Sequence, residues 1–254
     1  MIARMMAQTM TSMMASMIDW LKRESPSIAV GERALPVAIR RLAHARRLTM
    51  RLAPDGSELR ISMPRWGRTA EALEFARTKA SWIAAQLDKV PAPAPLGPDG
   101  TVTYRGQTYR IEHVPARPRR PELLTGAILL GGPLAGLTGR LQRWLEAEAR
   151  ALFAGDLAEY CARAEQPVPA LALSRAQRRW GSCATDGTIR LNWRLVMAPD
   201  FVRRSVVAHE VAHLLHMDHS PRFHAALDRI YEGDITQANR WLKRDGRSLY
   251  LPFG

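Results

Sequence analysis

The stretch Val206-Val207-Ala208-His209-Glu210-Val211-Ala212-His213-Leu214-Leu215-His216 decides how this chain reads. Its apolar residues crowd every face of a helix, so the segment from Asp200 to His216 is expected to be a helix buried in the core. Two histidines at i and i+4 leave such a helix from one face, a turn apart. That separation lets both imidazoles reach a single zinc ion at ~2.0–2.1 Å. Glu210 leaves the helix roughly 100° further round. It flanks the metal without ligating it, where it can take a proton from a zinc-activated water. A carboxylate in so apolar a helix is costly unless it is paired or functional. The bland alternative is a buried structural histidine pair.

A catalytic zinc site needs a third protein ligand and one open position. His219 follows His213 by six residues. Ser220-Pro221 reads as an N-cap followed by proline at the first helical position. This ends the first helix near His216 and holds His219 in the turn, from which it can reach back to the metal. His224, His216 and a carboxylate such as Asp228 are the other candidates. His216 lies one turn further along the helix, which suits an outer position. His44 and His113 stand alone in the first half and read as ordinary surface or core residues.

Working outward, Ser220 to Tyr231 and Asp234 to Arg244 read as two further helices, and Val168 to Arg175 and Thr188 to Leu195 as strands. Leu137 to Glu165 carries a long helical pattern. Val102 to Leu130 is β-rich, with Gly106-Gln107 as a hairpin turn and Arg117-Pro118-Arg119-Arg120-Pro121 as an exposed loop. In the earlier part, Val37, Ile39, Leu48, Met50, Leu52, Leu59, Ile61 and Met63 alternate with polar residues, and Pro54-Asp55-Gly56 marks a turn between two such runs. Thr69 to Leu87 reads as one helix capped by Thr69. The Pro-Ala repeat at 91–95 is a linker or a surface loop. The chain is therefore expected to be α+β. Three regions are expected: a Met-rich extension over residues 1–30, a β-rich region over 31–130 and a helix-rich domain over 131–254.

The 254 residues allow a sizeable core. A formal net charge of +13, almost all of it arginine, points to an acidic partner or to an arginine-rich surface without special role. Arg33, Arg40, Arg41, Arg46, Arg47 and Arg51 form a run free of acids, and Arg203-Arg204 open the central helix. Two cysteines, Cys161 and Cys183, are too few for a disulfide framework and fit a reducing, cytoplasmic setting. No apolar run has the length of a membrane span. The methionine-rich start makes a poor signal peptide.

The ordered set Arg179-Trp180-Gly181-Ser182-Cys183, Ile189-Arg190-Leu191-Asn192-Trp193-Arg194-Leu195, His209-Glu210-Val211-Ala212-His213 and Asp218-His219-Ser220 closely resembles the YgjP-like metallopeptidase family. The tail Trp241-Leu242-Lys243-Arg244-Asp245-Gly246 and the stretch Ile39 to Ile83 match as well, so the resemblance covers residues 30 to 254. It implies a zincin-like metallopeptidase domain with an active-site helix following the β-rich part. It also implies His209, His213 and His219 as zinc ligands and Glu210 as general base, and a distant kinship with SprT-like and WLM-type proteases. Asp218 departs from the Asn common before the third ligand, and His224 from a bulky aromatic. By the same resemblance, the strand Thr188 to Leu195 would form the upper rim of a cleft and pair with an extended substrate. Trp180 is expected to pack on that strand or on the active helix, and Cys183 to be a small buried residue. Asn192 is expected to hold either a loop or a ligand in place.

Two functions follow as expectations. One is a zinc-dependent peptidase that hydrolyses peptide bonds in a protein or peptide substrate, with Arg178, Arg179 or Tyr250 as the group that stabilises the oxyanion. The alternative is a basic, metal-stabilised module that docks on nucleic acid or nucleoprotein through its arginines. The sequence does not fix the oligomeric state.

Overall fold

In the computed structural model, which describes residues 26–90 and 96–253, the chain divides into two compact units, 1–89 and 90–254. The sequence-based boundary at 130/131 is thereby corrected. The strands between 101 and 130 belong with the helices, because Val102, Tyr104, Ile111, Ile128 and Leu130 share one core with Leu137, Leu141 and Leu145. The expected Met-rich extension is corrected at its end, since Ser27–Val30 is already a strand; residues 1–25 lie outside the described part.

Among the described residues, the first unit is a four-stranded sheet with two helices. Its strands are β1 (Ser27–Val30), β2 (Arg33–Leu42), β3 (Thr49–Leu52) and β4 (Leu59–Pro64), in the order β1-β2-β4-β3. The turn foreseen at Pro54-Asp55-Gly56 joins β3 to β4, with Gly56 at φ 70. Strands β2 and β4 run parallel. The alternating residues Val37, Leu59, Ile61 and Met63 are buried, with Ile39, Leu48, Met50 and Leu52 packed against them. A period of two puts all of these on one face. The helical stretch is two helices, α1 (Thr69–Arg77) and α2 (Ala80–Leu87), and not the single one expected. The break falls at Thr78, whose hydroxyl donates to the Phe75 carbonyl at 2.8 Å and competes with the helical ladder. Thr69 is the first helical residue, not the cap; the Glu71 carboxylate accepts the Arg68 backbone N–H instead.

The second unit opens with the sheet β5 (Thr101–Tyr104), β6 (Gln107–His113), β7 (Glu122–Leu124) and β8 (Ala127–Leu130), ordered β5-β6-β8-β7. The hairpin turn is Arg105-Gly106, and Gln107 already belongs to β6. A side chain at Gly106 would meet Pro199 Cα at 2.9 Å, so only glycine lets this tip sit on the loop before the central helix. Arg105 and Gly106 donate their N–H groups to the Val196 and Met197 carbonyls, and the Arg105 guanidinium pairs with Asp200.

The long helix α3 (Leu137–Arg163) runs under a small sheet of β9 (Leu171–Ser174), β10 (Gly181–Cys183) and β11 (Ile189–Asn192), ordered β10-β11-β9. A 3-10 turn (Trp193–Val196) leads to α4 (Asp200–Leu215), then α5 (Pro221–Ile230) and α6 (Ile235–Asp245). Helix α4 buries Val202, Val206, Val207, Ala208, Val211 and Ala212, as its composition required. No helix among the described residues is long and apolar enough to cross a membrane.

Arg203 and Arg204 are not a basic patch. Arg203 is buried and donates to Asp156 at 2.7 Å, and also to Asp200. Arg204 donates to Glu159 and Glu232, each at 2.8 Å, and its guanidinium lies 4.9 Å from the Tyr160 ring centre. Although burial pushes the Glu232 carboxyl up, hydrogen bonds from its own backbone, Arg204, Arg163 and Tyr160 bring it down to about 2. The two arginines anchor the start of α4 to α3 and to the segment after α5. Removing one partner of a buried pair strands a charge. Asp156→Ala should therefore destabilise the protein by about 3 kcal/mol, the low end of the range for such breaks, because Asp200 still accepts from Arg203. A urea titration checks this; a loss within about 0.5 kcal/mol, typical of surface changes, would show that the pair does not anchor α4.

Candidate metal centre

Three imidazoles converge at the C-terminal end of α4. One nitrogen from each of His209, His213 and His219 lies within 4.8 Å of the others, and the Nε2 atoms of His209 and His219 are 3.2 Å apart. Two nitrogens bound to one tetrahedral zinc would stand ~3.3 Å apart, by the usual bond lengths, so the donor set fits that ion. Burial, followed by the neighbouring histidines, pushes His209 down to about 4. Burial likewise lowers His213. Both are neutral at pH 7, the form in which imidazole binds metal.

The sequence around these rings explains their arrangement. His209 and His213 share a face of α4 through their spacing. His213 Nδ1–H donates to the backbone carbonyl of His216 at 3.0 Å, which leaves Nε2 as the free lone pair. His216 thus takes the outer position its spacing suggested, but through its carbonyl and not its ring. The Asp218 carboxylate accepts the Ser220 N–H at 3.3 Å, and the Ser220 hydroxyl accepts the Phe223 N–H at 3.5 Å at the start of α5. These two bonds shape the turn that presents His219. Of the rival third candidates, His224 and Asp228 are exposed on α5, and neither joins the cluster.

Phe223 escaped the sequence reading. It is fully buried, and its ring centre lies 4.9, 4.6 and 4.8 Å from those of His209, His213 and His219. It forms a floor against which the three imidazoles are held. The cap at Ser220 fixes the register of α5, and with it the inward face on which Phe223 falls; that signal was present in the sequence.

Glu210 is 5% exposed. Burial pushes its carboxyl up to about 7, against a hydrogen bond from the Cys183 backbone N–H and the charge of Arg179. Strand β10 lies directly over it. A side chain at Gly181 would meet Glu210 Cγ at 2.6 Å and Cδ at 2.7 Å, so the glycine of the Trp-Gly-Ser-Cys segment is what lets the strand approach. Overpacking of this kind costs about 1–3 kcal/mol, and the carboxylate is what must move. Gly181→Ala should lower activity by at least about 10-fold, as misplacement by a fraction of an ångström does in positioned groups, while metal content is unchanged. Turnover equal to wild type would show that the position of Glu210 relative to β10 is unimportant.

Several expectations change here. Strand β11 is flanked on both sides by β10 and β9, so it has no free edge; the outer strand over the site is β10. The bonds Asn192 N–H to Trp180 O and Ala184 N–H to Thr188 O turn those residues toward β11 and leave the Gly181 and Cys183 backbone facing outward. Tyr250 is unsuited as an oxyanion donor. It is buried, its hydroxyl donates to the Ala176 carbonyl at 3.0 Å, and it accepts from Asn192 Nδ2 at 3.1 Å. Asn192 therefore holds loop 176 and the C-terminal turn. Trp180 packs on Tyr250, with ring centres 5.4 Å apart, and lies over Gly246. Arg178 and Arg179 are exposed. Cys183 is half-buried, and burial raises its thiol pKa.

A family model described as "YgjP-like, metallopeptidase domain" matches residues 46–245. No curated protein matches the chain. Among solved structures, the metallopeptidase zymogen of Pyrococcus abyssi abylysin is similar at 17% identity, with a TM-score of 0.34 over 37% of this chain and 96% of that one. That likeness is too loose to carry any argument.

Proposed function

The chain belongs to the YgjP-like metallopeptidase family, and on that premise we propose that it is a zinc-dependent peptidase with His209, His213 and His219 as the metal ligands and Glu210 as the general base. The observation that supports this most strongly is the convergence of three imidazole nitrogens beside a buried carboxylate that has no cationic partner within hydrogen-bond reach among the described residues. Bound zinc would supply Lewis-acid chemistry, polarising the scissile carbonyl and acidifying the attacking water. Everything else is the work of the chain. Glu210 accepts the water proton at a carboxylate oxygen and returns it to the nitrogen of the departing amine. Its raised pKa suits both roles near neutrality. The Cys183 N–H and the close contact at Gly181 hold that carboxylate in place. The outward edge of β10 offers the Gly181 backbone and the Cys183 carbonyl to an extended substrate, which would bind by main-chain hydrogen bonds with little demand on sequence. The substrate class is therefore protein or peptide in extended form.

The nucleic-acid reading keeps the arginines of the first unit but loses Arg203 and Arg204, which are engaged in ion pairs. Arg33 and Arg41 also donate to backbone carbonyls, of Gly56 and Gly67. A buried carboxylate beside three imidazoles has no use in a docking module.

The test is to measure metal content of the purified chain and to incubate it with an unfolded protein, with and without chelator. About one zinc per chain and chelator-sensitive cleavage support the proposal. A chain that binds no metal after zinc is supplied would end it.

A further inference from the structure

A second concave site lies at the start of α3, wholly within the second unit, and shares no residue with the metal centre. It is a cavity of about 730 Å³ whose lining includes Arg119, Arg120, Arg140, Arg143, Trp144 and Glu148. Four arginines line this one cavity. Arg163, Arg203 and Arg204 each meet carboxylates. Arg119, Arg120, Arg140 and Arg143 form no ion pair among the described residues. Like charges gathered without ion-pair partners repel one another and favour an anion.

The backbone adds to the same field. Helix α3 is 27 residues long, begins after Gly136 at φ 77, and has neither a side-chain cap nor an acidic residue in its first turn. Leu137 N–H donates to the Leu134 carbonyl, but no side chain caps the helix, and its positive dipole end is left at the cavity, where Gly136 and Gly139 also line the wall. A side chain at Gly139 would sit 3.5 Å from Arg143 Nη1, so the missing side chain leaves the helix backbone open beneath that guanidinium. Arg140 is fixed by bonds to the Ala135 and Pro133 carbonyls, and its Nε is buried without a hydrogen-bond partner among the described residues. Further along the same helix, Trp144 packs on Tyr104 with ring centres 5.2 Å apart, and Tyr104 donates to Glu148 at 2.8 Å. One end of the cavity thus favours negative charge, and the other offers an aromatic face and a carboxylate acceptor.

We propose that this cavity binds a small phosphorylated molecule carrying at least two negative charges, with its phosphates against Arg119, Arg120, Arg143 and the start of α3. Arginine forks match phosphate oxygens two at a time. The volume lies in the ~300–1,000 Å³ range of small-molecule sites. The Glu148 end selects for a hydrogen-bond donor on the rest of the ligand and against a second anionic group there.

The test uses the full chain and inorganic pyrophosphate as the probe, titrated by calorimetry at fixed ionic strength. One saturable site per chain is expected. The double variant Arg120→Ala/Arg143→Ala should weaken it by at least about 10-fold, since each lost charged hydrogen bond to an anion is worth that much. Both side chains are exposed, so Tm and zinc content should stay at wild-type values. Arg143→Lys, which keeps the charge and loses the fork, should fall between. Arg46→Ala, an exposed arginine of the first unit, should leave binding within about 2-fold, the scale of an exposed charge removed at a distance. Three results would overturn the proposal: no saturable binding by the wild type; equal weakening by Arg46→Ala and the cavity variant; or binding of a single-stranded oligonucleotide that grows with length and is not displaced by pyrophosphate.

Discussion

Glu210→Gln should reduce cleavage of an unfolded protein by roughly 100- to 10,000-fold, the range that a positioned acid–base group supplies, while metal content stays at the wild-type level. The two effects separate because Glu210 is next to a ligand in sequence but points elsewhere. Its carboxylate lies under Gly181 and accepts from the Cys183 N–H. Glutamine keeps the shape and can accept that same bond, but it cannot take and return a proton. Stability should hold or rise. The native carboxyl sits at 5% exposure with its pKa pushed up to about 7, so burial already disfavours its charged form. The neutral amide avoids that cost, a trade between stability and activity common at functional sites. Single-turnover assays with metal analysis on the same sample decide the matter. If the variant turns over within a few-fold of wild type, Glu210 is not the base, whatever the metal does.

The second large effect is on the metal itself. His213→Ala should abolish stoichiometric zinc binding, a loss beyond the roughly 10–100-fold that follows removal of an outer hydrogen bond. His213 supplies one of the three converging nitrogens, and its ring is oriented by the His216 carbonyl at 3.0 Å. No other imidazole is placed to substitute, since His224 stands outside the cluster. The fold should survive, because Phe223 and the apolar face of α4 remain packed in a core that does not depend on the metal. Zinc measured by atomic absorption after dialysis, with circular dichroism as the control for folding, provides the check. A variant that keeps one tightly held zinc per chain would show that the cluster is not the metal centre. It would leave the arginine cavity untouched, since that site shares none of these residues.

Much of the site was legible in the chain because its geometry is local. The i and i+4 spacing of His209 and His213 sets one helix face wherever the helix sits. Ser220-Pro221 starts α5 by capping chemistry that involves only near neighbours, and so fixes the length of the turn that carries His219. The alternation from Val37 to Met63 picks out the buried face of the first sheet for the same reason. Each of these rests on a period of the backbone that needs no partner. The resemblance to a known family agreed with the role that helix spacing gave Glu210 and added the third ligand, which spacing alone left open between His219, His224, His216 and a carboxylate.

What the tertiary structure decided are the pairings between segments far apart in sequence. No period links Gly181 to Glu210, yet the absence of a side chain at one is required by the other. Arg203 read as surface charge until Asp156, 47 residues away, was placed against it. Residues 101–130 read as part of the first region until the tip at Gly106 closed on Pro199. The same holds for β10 as the outer strand and for Phe223 beneath the three imidazoles. Backbone geometry repeats and can be counted along one segment; side-chain packing and charge pairing depend on which surfaces meet, and only the folded chain brings those surfaces together.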